Sequence, residues 1–172
     1  MDALESCTRL DNLIFKGLPE QSFAERGTPA ATDTDSAAIA DSHLAVEQTV
    51  IAFCRDSLHI DVDKRDISTA HRLKAGPKDS IRPVIVRFTN RRIRDAVFRA
   101  KKQLKTLPKP VYISEHLTKL SADIFYESRK LVRNKKLHST WSQNGQIYIK
   151  VTSDPASRPK LIKSRAELSI YG

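Results

Sequence analysis

Apolar and polar positions alternate most clearly over residues 82–89 (RPVIVRFT), with Val84, Val86 and Phe88 on one face and Pro83, Ile85 and Arg87 on the other. That period of two predicts a half-buried strand. Residues 12–18 (NLIFKGL) predict another, with Leu13, Phe15 and Leu18 inward and Ile14 and Lys16 on the opposite face, stopped by Gly17 and Pro19. Residues 67–73 (ISTAHRL) and 111–114 supply two shorter strands.

Helical spacing takes over between them. Val46, Val50, Phe53, Cys54 and Leu58 predict a helix over about 44–58, capped by Asp41 or Ser42, with Cys54 as a small buried hydrophobe. Ile93, Ala96, Val97, Ala100 and Leu104 predict a second over about 91–104, capped by Thr89 or Asn90. Residues 21–41 show no period and predict a long mobile loop, and residues 74–80, with Gly76 and Pro77, predict a turn. The order strand, helix, strand, strand, helix, strand is the split βαβ arrangement of ferredoxin-like α+β domains.

A smaller unit follows. Thr118 caps a predicted helix reaching Val132, with Leu120, Ile124, Phe125 and Leu131 on its buried side. Asn144-Gly145 sits between two strand-like runs over residues 139–151, the strongest short hairpin signal. Residues 164–170 predict a closing helical turn. The fold class is therefore α+β: a ferredoxin-like βαββαβ domain, then a small helix–β-hairpin–helix domain.

Charge changes the picture most. Residues 1–66 carry 6 Lys+Arg and 13 Asp+Glu, a net of −7; residues 67–172 carry 24 and 7, a net of +17. Like charge at that density repels itself in a compact fold unless a polyanion offsets it, and nucleic acid gains affinity from Lys and Arg by counterion release. Charge alone serves a solvated basic face equally well. No apolar run is long enough to span a bilayer, so no membrane partner is expected. Cys7 and Cys54 stand apart and suit a reducing compartment, cytosol or nucleus.

No chemistry-bearing constellation appears. The chain has no G-x-S-x-G, P-loop or dinucleotide glycine pattern and no zinc-ligand spacing, so neither an enzyme nor a cofactor is expected. Asp61, Asp63 and Asp66 lack the glycine and terminal glutamate of a calcium loop and read as a solvated loop.

Five segments in register, NLIFKGLPE, DISTAHRL, RPVIVRFTNRRIRDAVFRAKK, VYISEHLT and WSQNGQIYIK, resemble the first-open-reading-frame proteins of LINE-type (non-LTR) retrotransposons. They equally resemble the C-terminal domain of baculovirus few-polyhedra (FP) proteins. The resemblance covers residues 12–150 and extends towards 170. It implies an RNA-recognition-motif-like domain over 12–116 and a small C-terminal domain over 117–172. These would bind single-stranded RNA or DNA without catalysis, coat element RNA and act as a nucleic-acid chaperone in a cytoplasmic or nuclear ribonucleoprotein. It also implies an upstream trimerising coiled coil, of which residues 1–11, with Leu4 and Leu10, would be a remnant, and hence a homotrimer. The alternative is a structural or protein-interaction module of FP type or a domesticated copy.

The RNA-recognition motif stacks bases on aromatics of its central strands. Here the matching positions are Ile14, Pro83 and Ile85, so binding should rest on phosphate contacts with little sequence choice. Arg91, Arg92 and Arg94 open a helix just after Arg87, where backbone N–H groups and the dipole favour an anion, and form a candidate phosphate corner. Lys16 and Arg72, the latter beside a structural His71, join the candidate cations. In the small domain, Tyr148 and Lys150 share a strand face that offers one stacking surface and one charge; Trp141 and Tyr148 fit a packing pair across the hairpin as well. Arg133, Lys135 and Lys136 fit a phosphate contact and a dipole-compensating helix end equally.

Overall fold

The computed structural model describes residues 2–20, 35–74, 76 and 81–172. Its backbone contacts divide into two units, Asp11–Ser114 and a second made of Met1–Leu10 with Glu115–Gly172.

The unit Asp11–Ser114 is built on a four-stranded antiparallel sheet of β1 (Asn12–Lys16), β2 (Ile67–Arg72), β3 (Val84–Phe88) and β4 (Tyr112–Glu115), in the order β2-β3-β1-β4. Leu13 lies opposite Val86 and Phe15 opposite Val84, so the inward residues of the two central strands share one face. All four are fully buried. Helices α2 (Asp35–Leu58) and α3 (Arg91–Ala100) supply Val50, Cys54 and Val97 to the same core. Phe53 meets Phe15 edge-on, with ring centroids 6.2 Å apart. Burial of each such large side chain stabilises by about 1.5–3 kcal/mol against exposure. The Cys54 thiol is pushed up to about 12 by its desolvation.

Several boundaries differ from the sequence reading. Helix α2 starts at Asp35, so Asp41 and Ser42 lie inside it and not at its start; alanines 37, 38 and 40 have high helix propensity, in keeping with the earlier start. The rest of the expected 21–41 loop, and most of the 74–80 turn, lie outside the described residues. Pro83 precedes β3 and is buried, its carbonyl accepting the Leu73 N–H at 2.7 Å, so it presents nothing on the outer face. Helix α3 tightens into a 3-10 segment over Lys101–Thr106.

Two of the acidic trio have a local role. Asp63 caps the 3-10 turn Lys64–Asp66 while the Asp66 carboxylate accepts the Asp63 N–H at 2.9 Å, a reciprocal capping box. Hydrogen bonds from Arg65 hold the Asp63 carboxyl below its usual range.

In the second unit, α1 (Asp2–Arg9) and α4 (Lys119–Arg133) accompany a three-stranded sheet of β5 (Ser139–Gln143), β6 (Gln146–Lys150) and β7 (Lys160–Ile162), ordered β5-β6-β7, with α5 (Arg165–Ser169) after it. Asn144 and Gly145 have φ of 52° and 74°, the left-handed pair of a two-residue hairpin, and set Trp141 opposite Tyr148. Thr118 caps α4 through the Ser121 N–H, and Ser164 caps α5 through the Glu167 N–H. Strand β7 is an addition to the expected hairpin; three residues are too few to show a period. Leu120, expected in the core, is 42% exposed, whereas Ile124 and Ser128 face inward.

Polar contacts tie the parts of this unit together. The buried Glu115 accepts the Asn144 N–H at 2.8 Å. Arg9 of α1 donates to the Leu117 carbonyl at 2.9 Å and lies 2.9 Å from His116 Nε2. Among the described residues, no helix is long and apolar enough to cross a membrane.

Candidate nucleic-acid interface

Strand alternation turns Arg87 outward at the exit of β3, registered against Asn12 and Thr69. The backbone then turns in two residues. Thr89 is tied down by its N–H to the Asp66 carbonyl and its hydroxyl to the Arg65 carbonyl, and Asn90 caps α3. Arg91 and Arg92 leave this fixed turn on the exposed side. Arg87, Arg91 and Arg92 are all exposed around this turn, but three details differ from the expectation.

Arg94 is not part of it. It falls one helical turn before Val97 on the buried face, is 2% exposed, and donates to Asp95 at 2.8 Å with its guanidinium 5.3 Å from the Phe98 ring centroid. Arg91 is engaged by the Asp11 carboxylate at 3.1 Å. The Asn90 side chain accepts the Arg92 N–H at 2.9 Å, so the cap occupies a first-turn donor that an incoming phosphate would use. Arg87 and Arg92 remain as exposed cations at this turn.

Arg72 is also diverted. Its guanidinium donates to the Leu18 carbonyl (2.9 Å), the Pro19 carbonyl (2.6 Å) and the Arg82 carbonyl (2.9 Å), clamping the segments that leave β1 and enter β3. Burial lowers its pKa, and nearby Glu20, itself held low by hydrogen bonds from Arg82, works against that shift. This is a structural clamp. The His71 ring packs against that of His43 at a tilt of 57°, ring centroids 5.9 Å apart.

Lys16 is exposed on the outward phase of β1, with Ile14 paired to Ile85 beside it on the same sheet face. One residue was missed. Tyr112 of β4 is 65% exposed, on the outward phase between the buried Val111 and Ile113. The alternation Val111, Tyr112, Ile113, Ser114 carries that signal, since it sends Tyr112 to the face opposite the core.

In the second unit, Trp141 and Tyr148 stack with centroids 5.9 Å apart and planes 14° from parallel. Tyr148 is half-buried and its hydroxyl donates to Gln146 at 2.9 Å; Lys150 is half-buried on the same strand face. Arg133, the last residue of α4, and Lys135 and Lys136 just beyond it are exposed. Tyr126, 58% exposed on α4 with the Lys130 ammonium 4.6 Å from its ring centroid, is a second exposed aromatic missed from the sequence. The candidate cations thus fall into two sets, Lys16, Arg87, Arg91 and Arg92 on one unit and Arg133, Lys135, Lys136 and Lys150 on the other.

Among the described residues, no group of three or more His, Cys, Asp or Glu side chains is placed to hold a metal. No protein-family model matches the chain, and no curated protein matches it significantly in sequence.

Proposed function

We propose that the chain is a non-catalytic binding protein for single-stranded RNA or DNA, of the kind encoded by the first open reading frame of LINE-type retrotransposons. In that role it would coat element RNA and act as a nucleic-acid chaperone within a cytoplasmic or nuclear ribonucleoprotein. The observation that carries the reading is the charge of residues 67–172, a net +17, together with the exposure of Arg87, Arg92, Arg133, Lys135 and Lys136. Exposed cations at this density favour phosphate contacts, which give affinity without sequence choice.

The strand order supports assigning Asp11–Ser114 to the ferredoxin-like, RNA-recognition-motif-like class. Each strand–helix–strand passage skips one position, β1 to β2 across β3 and β3 to β4 across β1. Exposed Tyr112, with Ile14 and Ile85, supports adding a modest stacking surface to the phosphate contacts.

Electrophoretic mobility shifts with single strands, duplexes and mixed sequences, repeated over a salt series, test the proposal. The expected result is a preference for single strands, little sequence discrimination and a log-linear loss of affinity with salt. Equal affinity for duplex at physiological salt would overturn the single-strand preference. Binding to neither would favour the protein-interaction module of FP type.

A further inference from the structure

Helix α4 ends in an unusual way. Asn134 is its C-cap, the Lys136 N–H donates to the Leu131 carbonyl at 2.9 Å and the Lys135 N–H to the Val132 carbonyl at 3.0 Å. This pair of bonds is a Schellman motif, and it places Lys135 in the left-handed position that glycine normally fills. Lys135 has φ of 60°. A side chain there crowds its own backbone, so a lysine at this position destabilises the helix end relative to glycine. Strain of this kind is held in place by the surrounding structure and clusters at ligand-binding sites.

Lys135 lines a shallow, open cleft of about 430 Å³ on the surface of the second unit. Val132, Leu137 and Val151 form its apolar floor, all belonging to or packed on the second unit's core. Thr152 and Ser153 bring hydroxyls to the wall, and no carboxylate is among the lining residues. The wall is held rigidly: the His138 N–H donates to the carbonyls of Lys150 (2.9 Å) and Val151 (3.1 Å), fixing the start of β5 against the exit of β6. The helix C-terminus contributes about half a negative charge, which alone would repel an anion. Arg133, Lys135 and Lys136 outweigh it with three full positive charges within four positions.

We propose that this cleft holds one nucleotide unit of a bound single strand, with its phosphate on Lys135 and the Thr152 and Ser153 hydroxyls and its base over the Val132–Val151 floor. The inference rests on the single-strand reading and gives it a defined subsite, for which the strain at Lys135 is retained.

The full chain and a fluorescein-labelled short oligouridylate test it, with affinity, salt slope, thermal midpoint and backbone amide shifts as readouts. Lys135→Gly is expected to bind about ten-fold more weakly, with a salt slope shallower by about one. Its thermal midpoint should be unchanged or raised, because glycine relieves the left-handed strain. Thr152→Val, which removes a hydroxyl and no charge, should also weaken binding, and oligouridylate should shift the amides of Leu137, Val151 and Ser153. Wild-type affinity in Lys135→Gly, or weakened binding only alongside a lowered midpoint, overturns the subsite while leaving the single-strand reading in place. Failure of the wild-type chain to bind the oligonucleotide overturns both.

Discussion

The Asp11 carboxylate grips the Arg91 guanidinium, with Oδ1 3.1 Å from Nη2 and 3.3 Å from Nε, at the turn where Arg87 and Arg92 are exposed. An anion therefore sits within the basic corner. An exposed ion pair of this sort stabilises by only about 0–1 kcal/mol, so its loss should scarcely affect folding. The Asp11 main chain matters more, since its carbonyl accepts the Phe88 N–H at 3.0 Å.

Asp11→Asn should therefore tighten binding to every single-stranded sequence by roughly two- to five-fold, the equivalent of up to about 1 kcal/mol. It removes the competing charge and leaves the main-chain bond intact. Fluorescence anisotropy at low and physiological salt would show it. Unchanged affinity in the variant would mean that phosphate does not visit this turn.

Arg87 and Arg92 should behave alike, and Arg94 differently. The double variant Arg87→Ala, Arg92→Ala should lose affinity uniformly across sequences, with a salt slope shallower by up to about two and little change in the unfolding midpoint. Arg94→Ala should instead cost stability, about 2 kcal/mol, because it empties a buried site and strips Asp95 of its partner. Chemical denaturation beside the binding curves separates the two effects. A stable Arg94→Ala with weakened binding would return that residue to the interface.

Tyr112→Ala should weaken single-strand binding by about 1–3 kcal/mol if its ring stacks on a base. At 65% exposure it contributes little to the core, so the melting curve should stay in place. Tyr112→Phe should retain most of the affinity, since the π-face survives. Equal binding by all three forms would leave the sheet face out of the interface.

Acidification should loosen the unit containing α1. Arg9 has donors only, so its 2.9 Å approach to His116 Nε2 requires that nitrogen to accept, and the imidazole to be neutral. Burial first, and the Arg9 charge second, lower the His116 pKa below its ordinary 6.5. The unfolded chain then binds the proton more readily than the folded one, so this group's contribution is fully present above about pH 6.5 and declines as pH falls towards the folded pKa. His116→Gln should flatten that part of the pH–stability profile followed by far-ultraviolet circular dichroism. A profile identical to that of the unaltered chain between pH 7 and 5 would refute the assignment.

Much of the framework could be read directly from neighbouring residues. Alternation placed Leu13, Phe15, Val84, Val86 and Phe88 inward and Arg87 outward, and Asn144-Gly145 fixed the hairpin register, because both signals act over a few positions. What escaped depends on distant partners. Nothing near Arg72 in the chain announces carbonyls at Leu18 and Pro19, over fifty positions away. Arg94 sits on the helix phase of Val97, and its charge type masked its position. Tyr112 and Tyr126 were overlooked for the opposite reason: one lies on a short edge strand and the other on a helix, away from the central strands where stacking aromatics were sought.

The chain's two cysteines divide between its two units and could hardly differ more in access. Cys7 is exposed on α1, while Cys54 lies in the core of the sheet domain with its thiolate disfavoured. Alkylating reagents, which attack thiolate, should thus mark the native protein once, on α1. The second mark can be added only when the sheet domain opens. The rate at which it appears would time that opening by mass spectrometry, with no probe engineered into the protein.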